Sequence, residues 1–432
     1  MDIVIATMAL RRPTVRAQTP VRATGERLAA GALALAVALI PLQRPAGPGN
    51  AAPADIFLAL AVVATLLWAG YLPQKLRAPY AASLGILVAA GGLAALAGAD
   101  PGAGLLALVQ DLFLLAWALA VANVAKSSAS LGVIVRVWAW SAIGWAGLMV
   151  FAVERGYTGL AGITDQYGGR AALTFTDANM AASYFVLSFM VIWATGYPRA
   201  RPLRIAAYAL LAAALALTGS NGGIIALTLG VAIATAAAVA KRLGAVAAVA
   251  SVFLVAGVLV ASFSLAPPTQ IQRWANQSGQ PLLVDSIGRS GASLQQRRLL
   301  LQEATSLLGD AGLVGSGPRS TKTQLASSQA SFVKQAHNDY IAAVVERGLL
   351  GGVGLLALIA SIVLRTSTVA FSRLTAGVAA VVPRAHALLG AIGALAVSAF
   401  FYEVLHFRHV WALLAVIAAV HLWGRDEARS AS

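Results

Sequence analysis

The stretch "QAHNDYIAAVVERG" (335–348) sets a histidine, an amide, a carboxylate and a phenol side by side at the mouth of a strongly apolar run. An imidazole titrates near pH 6.5 when unperturbed (about half a unit below neutrality), which suits His337 to general-base work. Asn338 or Asp339 is placed to fix its tautomer, and Tyr340 follows them into the apolar segment. A lone interfacial histidine is more often a hydrogen-bonded structural residue. Here Lys334 and a basic segment precede it, which favours chemistry. A second cluster opens "GGRAALTFTDANMAASYF" (168–185), where Asp177 and Asn179 are expected about one to two turns inside an apolar helix. Polar groups at that depth need partners or water. They either bond to a neighbouring helix or line a polar cavity with Arg170 at its rim.

Other polar positions carry weaker signals. Ser220 and Asn221 in "SNGG" fit a tight interhelical turn. His406 and His409 lie with Glu403 and Arg408 in "FFYEVLHFRHVW" (400–411), a short turn that either joins the site or anchors the interface with Tyr402 and Trp411. His386 and His421 fall near the opposite side. There is no Walker loop, zinc-type His/Glu spacing or G-x-S-x-G elbow. Acidic pairs of the DxD kind are absent, which argues against metal-dependent nucleotide-sugar chemistry. The chain has no cysteine, so disulfides and thiolate metal sites are excluded. No metal site and no cofactor is expected.

The elements that must position these residues are membrane helices. Of 432 residues 59% are hydrophobic and 11% charged, against about 25% charged in soluble domains. Apolar runs of roughly 17–25 residues recur, the length that crosses hydrocarbon as a helix, and in lipid each backbone must satisfy its own hydrogen bonds. The expected fold is all-α, a polytopic membrane protein of about twelve spans. These lie near 28–42, 55–72, 79–98, 104–125, 131–152, 172–196, 203–219, 222–240, 243–265, 338–364, 385–402 and 409–423. Lys75 and Arg77, Lys126, Arg199, Arg201 and Arg204, Lys241 and Arg242, Arg365, Arg373 and Arg384, and Arg425 and Arg429 all fall on the side of the basic amino-terminal tail. The positive-inside rule makes that side cytoplasmic, with both termini there. The net charge of +15 thus belongs to loops at a membrane and not to a nucleic-acid surface.

The expected organisation is a basic tail (1–27), nine spans (28–265), an extracytoplasmic loop (266–337), three spans (338–423) and a short tail (424–432). The long loop exceeds ordinary helix connections. Its arginines, among them Arg289, Arg297, Arg298 and Arg319, are either solvated or gathered to grip an anion such as phosphate. Within it, "SLQQRRLLLQEATSLL" (293–308) reads as an amphipathic helix along the membrane surface. "GDAGLVGSGPRS" (309–320) ends that helix, and Gly315 and Gly317 either make a turn or bring backbone N–H groups to a ligand.

Three stretches together resemble the O-antigen ligase and Wzy-type polysaccharide polymerase superfamily of bacterial membrane proteins: "GRAALTFTDANMAA" (169–182), "RRLLLQEATSLLGDAGLVGSG" (297–317) and "HNDYIAAVVERGLLG" (337–351). The resemblance covers roughly 150–365. It implies transfer of a glycan from an undecaprenyl-pyrophosphate donor to a glycan or lipid acceptor on the outer face of the cytoplasmic membrane, metal-independent and inverting. It implies that His337 activates the acceptor and that Arg170 binds the pyrophosphate, with Arg297 matching the loop arginine. Asp177, Asn179, Arg298, Asn338, Asp339 and Tyr340 are the expected supporting residues. One departure is clear: where the family has Ser-Arg-Gly, this chain has Ser220-Asn221-Gly222. Arg347, Arg298 and Arg408 are the expected substitutes for the missing guanidinium. A transporter or flippase for a lipid-linked or anionic substrate, or a non-catalytic envelope scaffold, is the competing expectation.

Overall fold

The computed structural model describes residues 20–47, 51–71, 76–164, 169–250, 268–280, 283–284, 298–299, 301–309, 312–325 and 338–424. Among these residues the regular structure is helical throughout. The helices are α1 (Pro20–Leu39), α2 (Pro53–Ala69), α3 (Ala81–Ala97), α4 (Pro101–Val124), α5 (Ser128–Glu154), the single turn α6 (Thr158–Ala161), α7 (Ala178–Thr195), α8 (Arg201–Leu217) and α9 (Asn221–Leu243). They continue with α10 (Pro268–Gln277), α11 (Ser320–Gln324), α12 (Asp339–Phe371), α13 (Ala376–Val381), α14 (His386–Phe401) and α15 (Arg408–Trp423).

Helix starts follow from local chemistry. Pro53 and Pro101 occupy first-turn positions, where the missing N–H costs nothing. Asp100, Ser127 and Ser220 accept from Ala103 N (2.9 Å), Ser130 N (3.1 Å) and Gly223 N (3.2 Å), each filling an orphan donor of its helix.

Five of these helices, α4, α5, α7, α9 and α12, are long and apolar enough to cross a membrane. Four shorter apolar helices, α2, α3, α14 and α15, coincide with expected spans. At about 1.5 Å per residue they reach about 24–26 Å, less than the hydrocarbon thickness of about 30 Å. Residues 251–265 of the ninth expected span lie outside the described residues.

The most enclosed helices are α7 and α15, which present apolar side chains all round, as a bundle interior requires. Trp138 on α5 donates its indole N–H to Ser188 of α7 at 2.9 Å. Elsewhere the bundle closes through small residues: Gly230 of α9 faces Gly390 of α14, and a side-chain carbon on Gly390 would lie 2.3 Å from the Gly230 carbonyl. Backbones that close exclude any larger residue at the crossing.

The two ends of the bundle differ in chemistry. At one end Arg77 stacks over Trp423 and Lys126 over Trp68. There too Arg199 and Lys241 donate to the carbonyls of Ala380 and Ala370. This is the basic end foreseen from the loop charges. The opposite end, called here the loop end, carries the coil 169–177, the α8–α9 turn, the segment 312–325 and the turn 402–407.

Candidate functional site

Arg170 is positioned by a coil that folds back over the loop end. Ala171 N donates to Leu217 O (2.9 Å) and Thr174 Oγ1 to Pro41 O (2.7 Å). The arginine therefore lies across the α8–α9 turn, with Nε donating to Thr218 O at 2.8 Å and Nη2 to Asn179 Oδ1 at 2.7 Å. Asp177 departs from its expected place. It is not inside a helix but is the N-cap of α7, with extended backbone and Oδ1 accepting from Asn179 N at 2.6 Å. A short carboxylate there fills an orphan N–H and meets the positive helix end, so it needs no partner at membrane depth. Asn221 is the first residue of α9, just after the capping Ser220. A side chain at the adjacent Gly222 would touch Phe401 and Tyr402 at 3.5 Å, so the α9 start abuts the end of α14.

The residues that follow His337 are tied to the same seam. Asn338 is the buried N-cap of α12, accepting from Tyr340 N (2.9 Å) and Ile341 N (3.1 Å) and donating Nδ2 to Phe400 O (3.2 Å). Asp339, also buried, accepts from Val404 N at 2.8 Å. Tyr340 donates its hydroxyl to Ala396 O at 2.9 Å. His337 and Arg297 lie outside the described residues. Arg298 is exposed. Residues 301–306 are helical, and Ala304 packs against Ala342 of α12 while Leu299, Leu301 and Leu308 stay exposed.

Below the turn 402–407 lies a cavity of about 100 Å³. Asp339, Glu346 and Arg347 of α12, Asp111 of α4, Arg319, Glu403 and His406 bring charge or polarity to it, and Leu84, Leu87, Leu115, Leu355 and Leu358 form its apolar wall. The turn dips into the bundle: Trp117, about four turns into α4, donates to the carbonyl of Arg408. Two expected substitutes for an arginine at Asn221 are already engaged. Arg347 pairs with Asp111 at 2.5 Å, and Arg408 forks onto Asp55 at 2.6 and 2.5 Å.

The histidines separate cleanly. His406 lines the cavity. His409, expected on the outer turn, is buried, bonded to Ser183 at 3.0 Å and packed edge-on to Phe175 and Tyr184. It lies in the first turn of α15, which inserts into the bundle core, and so serves packing. His421 meets Arg365 at the basic end and His386 lies edge-on to Trp193. Among the described residues no three His, Asp or Glu side chains gather to hold a metal ion.

Gly315 and Gly317 approach a helix and not an open ligand site. At Gly348 α12 breaks its helical backbone (φ 67°). Ser316 N and Gly317 N donate to Val345 O and Glu346 O at 3.0 Å, and Leu349 N donates to Gly312 O at 3.1 Å. The carbonyls and amide freed by the kink are thereby satisfied. Glu346, buried beside it, accepts from Thr321 Oγ1 at 2.5 Å. Asp111, Thr321 and Glu346 were not legible as site residues. The only sequence signal was Glu-x-Gly at 346–348 beside a glycine-rich loop.

The arrangement offers guanidinium groups aimed by carbonyl, amide and carboxylate partners at one end of a membrane bundle, the chemistry that grips oxyanions. Residues 206–356, from α8 to the first half of α12, match the family model described as O-antigen ligase. The match takes in Asn221, the long loop and the 337–351 stretch, whereas Arg170, Asp177 and Asn179 precede it. No curated protein matches the chain.

Proposed function

We propose that this chain, a member of the O-antigen ligase and Wzy-type superfamily through residues 206–356, transfers a glycan from an undecaprenyl-pyrophosphate donor to an acceptor hydroxyl at the outer face of the bacterial cytoplasmic membrane. The observation that carries the reading is the seam at the loop end. Arg170 spans Thr218 and Asn179, the α9 start beside it abuts Phe401 and Tyr402, and Asn338 is bonded to Phe400. The residue after His337 and the guanidinium of Arg170 thus belong to one continuous patch.

The chemistry follows from the residue types. A polyprenyl pyrophosphate is already an activated leaving group, so transfer needs no nucleotide. The acceptor oxygen attacks the anomeric carbon as the bond to the diphosphate oxygen breaks on the opposite side, inverting the centre. His337 takes the acceptor proton. Arg170 stabilises the charge that accumulates on the departing diphosphate. The loop end then faces outward and the basic end lies in the cytoplasm with both termini.

Reconstitution with a polyprenyl-pyrophosphate glycan and an acceptor tests this. Release of polyprenyl pyrophosphate with extension of the acceptor is expected, and loss of both in His337→Ala and in Arg170→Ala. Transfer at an unchanged rate in both variants removes the site assignment. Movement of the donor across the bilayer with no bond broken identifies a lipid-linked glycan transporter instead.

A further inference from the structure

The chain lacks a guanidinium at Asn221, and of the arginines the sequence offers in its place Arg347 and Arg408 are held by carboxylates while Arg298 lies exposed. Arg319 is placed differently. Its backbone is left-handed, at φ 62°, a region that residues with a side chain rarely occupy. The conformation is held from both sides. Behind it, Gly317 N bonds to the α12 kink. Ahead of it, Thr321 donates its hydroxyl to the buried carboxylate of Glu346 at 2.5 Å. A strained residue that its surroundings over-determine, at the edge of a cavity, is a mark of function.

The side chain of Arg319 lines the cavity below the turn 402–407. Among the described residues no carboxylate, carbonyl or aromatic ring pairs with its guanidinium. Of the nearby carboxylates, Asp111, Asp339 and Glu346 do not oppose an incoming anion outright, because each is turned to a protein donor: Asp111 to Arg347, Asp339 to Val404 N, Glu346 to Thr321. Glu403 is a fourth acidic group on the cavity wall. Beneath the charged mouth the wall is leucine. Through Leu355 and Leu358 it continues into an apolar groove between α12 and α14 that includes Ile359, Ile362, Ile392 and Leu395. A charged mouth above an apolar groove matches a ligand with an anionic head and a long hydrocarbon chain.

We propose that Arg319 binds the anionic head of a lipid phosphate in this cavity, supplying the guanidinium that the chain lacks at Asn221, with Glu346 and Thr321 as positioning residues. The identity of that lipid as the glycan donor rests on the function proposed above; the binding of a lipid phosphate does not.

The test uses the full chain in lipid nanodiscs, with farnesyl diphosphate as probe and farnesol and inorganic pyrophosphate as separate arms. Glycine is at ease at φ 62°, so Arg319→Gly removes the guanidinium without forcing the loop to refold. The expected result is farnesyl diphosphate affinity weakened about 10-fold to 100-fold, the range for a lost charged hydrogen bond, with farnesol affinity and melting temperature not lowered. Thr321→Val is expected to weaken the diphosphate by a smaller factor, and Arg319→Lys to retain part of the affinity through charge without the fork. An unchanged Kd in both Arg319→Gly and Arg319→Gln overturns the proposal, as does equal weakening of farnesol or no binding by the wild type. If Arg170→Gln stops glycan transfer while Arg319→Gly binds and transfers normally, this inference falls and the proposed function stands.

Discussion

Arg170 is fixed at two points, by a backbone carbonyl and by the Asn179 amide, so its planar fork is oriented before any substrate arrives. Lysine carries the charge but cannot reproduce two directed bonds from one plane. Arg170→Lys is expected to lower glycan transfer about 10²-fold to 10³-fold, the scale for a lost oxyanion donor, with little change in melting temperature; transfer assays beside thermal unfolding check this. Asn338 is a structural residue by its bonds. Asn338→Ala removes a helix cap and strands the Phe400 carbonyl, and a loss of about 1–2 kcal/mol in stability is expected, read by denaturant titration. Much at this scale was legible. Arg170, Asp177, Asn179 and Asn338 are polar residues in apolar surroundings, and such residues must be partnered. Their roles were less so, because a cap and a buried ligand use the same amides and carboxylates. The left-handed backbone of Arg319 has no signature in sequence, since that conformation normally announces itself through glycine or asparagine.

At the scale of elements, the break in α12 governs how the long loop meets the bundle. Gly348 and Gly315 face each other, both with positive φ, and a side-chain carbon on Gly348 would lie 2.2 Å from Leu313 O. Gly348→Ala combines an unfavourable left-handed backbone with a collision against main chain, and is expected to cost about 2 kcal/mol or more. Because 312–317 is bonded to the kink, the same variant should loosen that segment. Faster amide exchange or proteolytic cleavage around 312–325 is the measurement, and protection equal to the wild type would show that the kink does not hold the loop. The sequence marked this loop as a glycine turn after a helix, and that is correct locally. It did not reveal what the glycines approach, because the Gly315–Gly348 meeting joins residues far apart in sequence and only three-dimensional packing specifies it. Gly230 and Gly390 were equally silent: glycine in an apolar helix reads as a tolerated cost until its neighbour is known. Helix starts were the readable part of the elements, with two exceptions: α1 begins at Pro20, inside the expected basic tail and not near 28, and the apolar residues of the coil 171–177 cover the bundle end and mimic the first turn of a span.

Across the whole molecule the charges are segregated. Cations of the short loops gather at one end, where Arg77, Lys126, Arg199 and Lys241 are satisfied by rings and carbonyls, and that segregation was legible because loop charge survives any error of a few residues in span boundaries. The span count was less legible: hydropathy registers α14 and α15 as full spans, whereas each has 16 residues and they are joined by a turn that dips into the bundle. The absence of cysteine makes the orientation directly measurable, since a single introduced thiol is the only one present. Ala99, between α3 and α4, is exposed at the loop end, and Ala200, before α8, is exposed at the basic end. In intact cells stripped of their outer barrier, Ala99→Cys should react with a membrane-impermeant maleimide, and Ala200→Cys should react only after the membrane is permeabilised. Both positions lie on exposed connections, so the substitutions should leave folding unchanged. Labelling in the reverse order would turn the cavity and the Arg170 seam toward the cytoplasm. A donor presented on the outer leaflet would then have no access to them, and glycan transfer at that face would be excluded.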